Sequence, residues 1–169
     1  MSSSQKKVIV RTRTYEALAG YLPMHGLAES EQVELLDLAG KVVAVPLADV
    51  KWVCFVRDFN SGEIDNPERL MKKTFSGRPR SAGVWLRLRL MDGDLVEGLA
   101  GNDLTLLTGQ GIFLTPPDIR SNTQRMFLPR TSIEGLEVVM VIAPIGKRKP
   151  RPGTAERETE PDPQADLFP

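Results

Sequence analysis

Four arginines stand at alternate positions in two apolar runs. Arg11 and Arg13 lie in Val8-Ile-Val-Arg-Thr-Arg-Thr14, and Arg87 and Arg89 in Val84-Trp-Leu-Arg-Leu-Arg-Leu90. Period-two alternation gathers such residues on one face of a β-strand. Trp85 shares the face of Arg87 and Arg89. Lys72, Lys73, Arg78 and Arg80 precede it, in a stretch from Arg69 to Arg89 that holds no acid. Guanidinium groups beside an indole contact phosphates and stack on bases. Arg11, Arg13, Lys72, Lys73, Arg78, Arg80, Trp85, Arg87 and Arg89 therefore form a candidate nucleic-acid or anion patch. The plainer expectation is that Trp85 packs against the rest of the protein while the arginines lay their stems along the sheet and block edge pairing.

A second polar group is Asp118, Arg120, Asn122, Gln124 and Arg125, a dense connection between two strand-like runs, with Arg57 and Asp58 ending another. These residue types can hold a carboxylate or phosphate through paired hydrogen bonds. They also make side-chain turns and local ion pairs, and that is the favoured expectation. Other chemistry is thinly represented. The one histidine, His25, stands beside a glycine, and the one cysteine, Cys54, lies in an apolar run, where a thiol behaves as a small hydrophobe. No phosphate-cradling glycine loop or zinc signature occurs. The expectation is no catalytic residue, no cofactor and no metal, with an enzyme of unmarked loops as an alternative.

The 169 residues suit one mid-sized domain or two very small ones. Only 6% are aromatic, whereas 14 glycines and 13 prolines favour short strands and many turns. Basic and acidic residues balance at 22 each, so any partner must be recognised by local patches. Val8 to Val10 is too short an apolar run for a signal peptide, and Val138 to Ile145 is too short to span a bilayer. These features predict a soluble cytoplasmic protein with no membrane partner.

The chain reads as two related halves. Val8–Thr14 lies over Val84–Leu90, and Val45-Pro-Leu-Ala-Asp-Val50 lies over Leu128-Pro-Arg-Thr-Ser-Ile133. Expected strands in the first half are Val8–Thr14, Leu18–Leu22, Val33–Leu38, Lys41–Val45 and Trp52–Phe55. In the second they are Val84–Leu90, Leu95–Leu99, Gly111–Thr115, Arg125–Leu128 and Leu136–Ile142. Asp92-Gly93 is a hairpin turn. Glu31–Leu38 also fits a helix capped by Ser30, and Asn66-Pro67-Glu68 predicts a short helix over Arg69–Phe75.

The run Asp92-Gly93-Asp-Leu-Val-Glu-Gly98-Leu99, after an alternating strand and before Asn102, resembles the first motif of Sm-like barrels. Their second-motif turn is replaced by Pro129-Arg130-Thr131, so their RNA-loop residues are not carried over. With Trp52–Phe59 and Thr115–Phe127, the pattern also resembles uncharacterised bacterial proteins with two such half-barrels, a likeness that implies a fold and no activity. Near the C-terminus, Gln164-Ala-Asp166-Leu167-Phe168 resembles the peptide by which bacterial replication and repair proteins dock on the sliding clamp. In such a peptide Leu167 and Phe168 would fill an apolar pocket and Gln164 would hydrogen-bond a short distance away, with Asp166 at the position that takes Ser or Asp.

The expected architecture is all-β: a flexible segment 1–5, a first small Sm-like or SH3-like barrel over 6–60, a linker with a short helix over 61–80, a second barrel over 81–145, and a disordered tail over 146–169. The expected role is non-catalytic binding as an adaptor. A protein partner is favoured, through the tail or a sheet edge, with nucleic acid on the Trp85 face as the alternative.

Overall fold

Alternation of apolar and polar residues fixes the strands, and proline and glycine fix their ends. In the computed structural model, which describes residues 5–23, 27–59, 65–68, 72–118 and 120–145, ten strands carry nearly all the regular structure. They are β1 (Gln5–Thr12), β2 (Ala17–Pro23), β3 (Gln32–Asp37), β4 (Val42–Pro46), β5 (Val50–Val56), β6 (Gly83–Leu90), β7 (Leu95–Ala100), β8 (Gly111–Leu114), β9 (Thr123–Pro129) and β10 (Ile133–Ile142). Each expected strand is present, and Gln32–Asp37 takes the strand form rather than the helical one. Pro46 and Pro129 close β4 and β9, because proline cannot donate to the ladder. Each is followed by a single 3-10 turn, Leu47–Asp49 and Arg130–Ser132.

The short helix expected over Arg69–Phe75 has no counterpart at 72–75, where the chain runs as bend and coil; 69–71 lie outside the described residues. The physical reason lies at Glu68. Its carboxylate is buried and ion-paired rather than lying free in a first helical turn. Among the described residues there is no α-helix.

Two five-strand units emerge from the pairing. In the first, β5 pairs with β1, β1 with β2, β2 with β3 and β3 with β4, all antiparallel. In the second, β10 pairs with β6, β6 with β7 and β8 with β9, while the Leu99–Thr115 bridge joins β7 to β8. The registers recur as well. Val10 opposes Val53 as Leu88 opposes Leu136, and Val8 opposes Phe55 as Leu86 opposes Val138. Corresponding positions are 83 apart in the fifth strands, as the sequence overlay has them. In the first strands they are 78 apart instead of the overlay's 76, so Arg89, not Arg87, corresponds to Arg11.

The same correspondence pairs Gly20 with Gly98. A Cβ at Gly20 would lie 2.5 Å from the carbonyl oxygen of Leu36, and one at Gly98 would lie 2.9 Å from that of Thr115. Each glycine lets the second strand bend closely onto the third.

The units are joined by a further ladder. β5 pairs with β9, Val53 opposite Phe127 and Phe55 opposite Arg125, giving a seven-stranded sheet in the order β4-β3-β2-β1-β5-β9-β8. Both faces of β5 are therefore buried. Val50 and Val53 enter one core with Val8, Val10, Val33 and Leu35, and Phe127 inserts there from the second unit. Trp52, Cys54 and Val56 point the other way, into the second unit's core of Leu86, Leu88, Leu114 and Met126. The unbroken apolar run Trp52–Val56 follows from this double burial.

Candidate functional site

The junction of the two units holds the most concentrated polar cluster. Lys51 is the extra residue at a bulge where β5 meets β1, which turns its side chain out of the ladder. It is only 6% exposed, and its ammonium pairs with Asp92 and, at 2.6 Å, with Asp94 in the β6–β7 turn. It also stands 4.4 Å from the Trp52 ring centroid and 5.3 Å from that of Tyr15. Tyr15 has φ 66 at the place in its turn that Gly93 (φ 89) takes in the other. A non-glycine residue there carries strain, and the conformation brings its hydroxyl to Asp92 at 3.2 Å. Two hairpin turns, one from each unit, thus close over one ammonium group.

Beside it, Arg11 holds Glu68 bidentately, Nε to Oε1 at 2.9 Å and Nη2 to Oε2 at 2.7 Å. Glu68 is 1% exposed and also accepts the Trp52 indole N–H at 3.4 Å. Its backbone carbonyl accepts the Thr123 hydroxyl, so the connector is tied to both units. Arg11, Lys51, Trp52, Glu68, Lys73 and Asp94 line a cleft of about 630 Å³. Every cation among them has a carboxylate partner, Lys73 meeting Asp94 at 3.3 Å. The chemistry of this cleft is that of a clamp made of satisfied pairs, with neither a free general base nor a free nucleophile among these groups. Cys54 is fully buried and burial pushes its thiol up, which suits packing. Among the described residues no group of three or more His, Cys, Asp or Glu side chains is placed to hold a metal, and no helix is long and apolar enough to cross a membrane.

The clamp predicts an acid-sensitive junction. Burial raises the Asp92 carboxyl, but Lys51, the Asp94 N–H and Tyr15 outweigh it and hold it below the usual range. Asp94 is held low chiefly by Lys51. For Lys51, burial works against the charge, and the two aspartates more than offset it, so its affinity for the proton is raised. Depressed carboxylates stabilise the fold above their unfolded value near 3.8, and that contribution disappears as pH falls through their lower folded values. The Lys51 contribution is present below 10.5 and is lost only above it. Chemical denaturation across pH should show stability falling below about pH 4. Asp92→Asn/Asp94→Asn should be weaker than wild type at pH 7, and the difference should shrink as pH falls below about 4; a constant difference across pH would contradict this account.

Part of the basic patch is engaged. Besides Arg11 and Lys73, Arg13 donates to the Thr131 carbonyl. Arg87 pairs with Glu97 at 3.0 Å and with Glu137 at 3.2 Å. Glu97 is 3% exposed, and burial raises its carboxyl, yet donors from the Phe75 backbone, Arg87 and Trp85 outweigh that and hold it low. The Trp85 indole donates to Glu97 at 2.9 Å and packs edge-on against Phe75. Lys72, Arg78, Arg80 and Arg89 are exposed. The sequence-predicted patch therefore consists of these exposed cations together with arginines and an indole already committed to internal partners.

The second polar group is a turn. Asn122 accepts the Asp58 N–H and donates to the Asp58 and Pro67 carbonyls. The Arg57 N–H meets the Asn122 carbonyl, and the Asp118 carboxylate accepts the Arg120 N–H. Arg125 lies 4.3 Å from the Phe113 ring centroid, beside the β5–β9 seam, and Gln124 is exposed. Gln164, Asp166, Leu167 and Phe168 lie outside the described residues.

The surface that sequence reasoning missed is β10. It has β6 on one side and, among the described residues, no strand on the other. Leu136 and Val138 stand opposite the buried Leu88 and Leu86, on the core-facing side, yet are 48% and 53% exposed. Met140 and Val141 are exposed beside them. The corresponding strand β5 is covered by β9, and its Val53 is 0% exposed. Leu136–Ile142 is legible as an apolar strand; that no described strand covers its second edge is a property of the assembled fold.

No curated protein and no solved structure matches the chain. A family model does match, across residues 4–140, a span that includes the first five-strand unit and all of the second but the end of β10; the chain belongs to that family, the family of unknown function DUF6982.

Proposed function

We infer that this protein is a non-catalytic bacterial adaptor of the cytoplasm, built from two tandem small barrels of the Sm-like or SH3-like kind, and that it docks protein partners on β10. The recurring strand order and register, with Gly20 and Gly98 at corresponding bends, support a duplicated barrel unit. The observation that carries the docking function is the edge itself: ten residues with no second neighbouring strand among the described residues, and Leu136, Val138, Met140 and Val141 exposed. Such an edge is a template for an added strand, with backbone hydrogen bonds giving affinity and alternate side chains giving selectivity. The clamp supports the same reading, since it rigidifies the scaffold and pairs Arg11, Lys51 and Lys73 with carboxylates.

The test compares full-length wild type with Val138→Lys as baits in cell extract. Partners should be lost from the variant, while Arg89→Ala retains them, and a labelled single-stranded oligonucleotide should show no salt-dependent complex with wild type. Equal capture by wild type and Val138→Lys, or an oligonucleotide complex that weakens steeply with salt and is lost in Arg89→Ala, would overturn the reading in favour of another surface.

A further inference from the structure

We propose that β10 pairs with β4 of a second copy of this chain, head to tail, repeating between molecules the ladder that β5 and β9 make within one. This deepens the reading of β10 as a docking edge and rests on it. Both strands are free to do so: β4 has β3 as its one neighbour and β10 has β6, among the described residues. They correspond to the two strands already joined, β4 to β9 through Pro46 and Pro129, and β10 to β5 through Val50 and Ile133. The molecule therefore ends in the two halves of an interface whose other copy it has already built.

The internal register specifies the outcome. Val53 opposite Phe127 and Phe55 opposite Arg125 translate into Leu136 opposite Ala44, and Val138 opposite Val42, of the second copy. Val42 is 71% exposed and Val138 is 53% exposed, so the register brings together two apolar side chains that the single chain leaves in water. Size is exchanged across the ladder in the same step. Internally the large ring is on the β9 side, Phe127 against Val53, and in the new contact the larger side chain is on the β10 side, Leu136 against Ala44.

The other face makes this contact weaker than the internal one. Ile9, Trp52 and Cys54, which plug the second unit's core, correspond to Arg87, Gly135 and Glu137, and Arg87 and Glu137 are ion-paired with each other. Without that apolar plug the association is reversible and concentration-dependent. Because the two surfaces differ, it is heterologous and can continue beyond two copies.

Sedimentation velocity of the full chain over a wide concentration range provides the test. Wild type should grow with concentration, whereas Val42→Lys and Val138→Lys should each lower the association constant at least about tenfold. Mixed in equimolar amounts, the two variants should form a species that stops at the heterodimer, because one offers an intact β10 and the other an intact β4. Should either lysine shift the urea midpoint, threonine at the same position replaces it. A wild type that stays monomeric throughout, or a Val42→Lys chain that associates like wild type, overturns the proposal. Monomeric wild type together with capture that still depends on Val138 would refute self-pairing while leaving the docking edge intact.

Discussion

Phe127→Ala is expected to lower the unfolding free energy by about 3 to 5 kcal/mol, the usual cost of removing a buried phenylalanine ring. The ring is 0% exposed and lies in the first unit's core, although its backbone belongs to the second. It also packs on Phe113 at a centroid distance of 4.9 Å. Its removal therefore weakens both units together, and a chain of this length should lose roughly 10 °C in melting temperature. Urea unfolding followed by tryptophan fluorescence and far-ultraviolet circular dichroism should give one coincident transition, shifted to lower urea. Phe127→Leu should retain most of the stability. A loss below 1 kcal/mol, or a variant whose two probes separate, would show that the units are not coupled through this ring.

Glu68→Ala is expected to cost about 3 kcal/mol or more, because it strands a half-buried guanidinium. Arg11 has a side chain only 13% exposed and spends two donors on Glu68. The pair itself contributes less than its breakage costs, since both charges were desolvated to form it. A double substitution, Arg11→Met with Glu68→Leu, should therefore recover most of the loss. The measured coupling would separate this from a purely steric role for Glu68. If the double variant is as unstable as the sum of the singles, the ion pair is not what ties the connector down.

These two residues also show where sequence reasoning succeeds and where it stops. All ten strands are legible because alternation, Asp92-Gly93 and the prolines are local signals. The arginine overlay slips by two because a shift of two preserves the face of every side chain, leaving the apolar pattern unchanged. Asn66-Pro67-Glu68 carries helix-start residues, but a tertiary demand, charge neutralisation of Arg11, takes Glu68 instead. Lys51 shows as a charge within an apolar run, a signal that something must neutralise it. That its partners are Asp92 and Asp94, residues also suited to a turn, depends on how the two units meet. The exposure of Leu136 and Val138 is equally a matter of neighbours: β5 and β10 are both apolar strands, and only the position of β9 distinguishes them.

The account rests on β10, where Leu136, Val138, Met140 and Val141 are exposed. The most direct measurement is amide hydrogen exchange of the full chain, free and bound to a partner captured through the wild type but not through Val138→Lys. Added protection should fall on β10 from Leu136 to Val141, with β7 and the Lys51 cleft unchanged. Protection concentrated on the Trp85 and Arg89 face or on the cleft, with β10 exchanging as in the free protein, would contradict it.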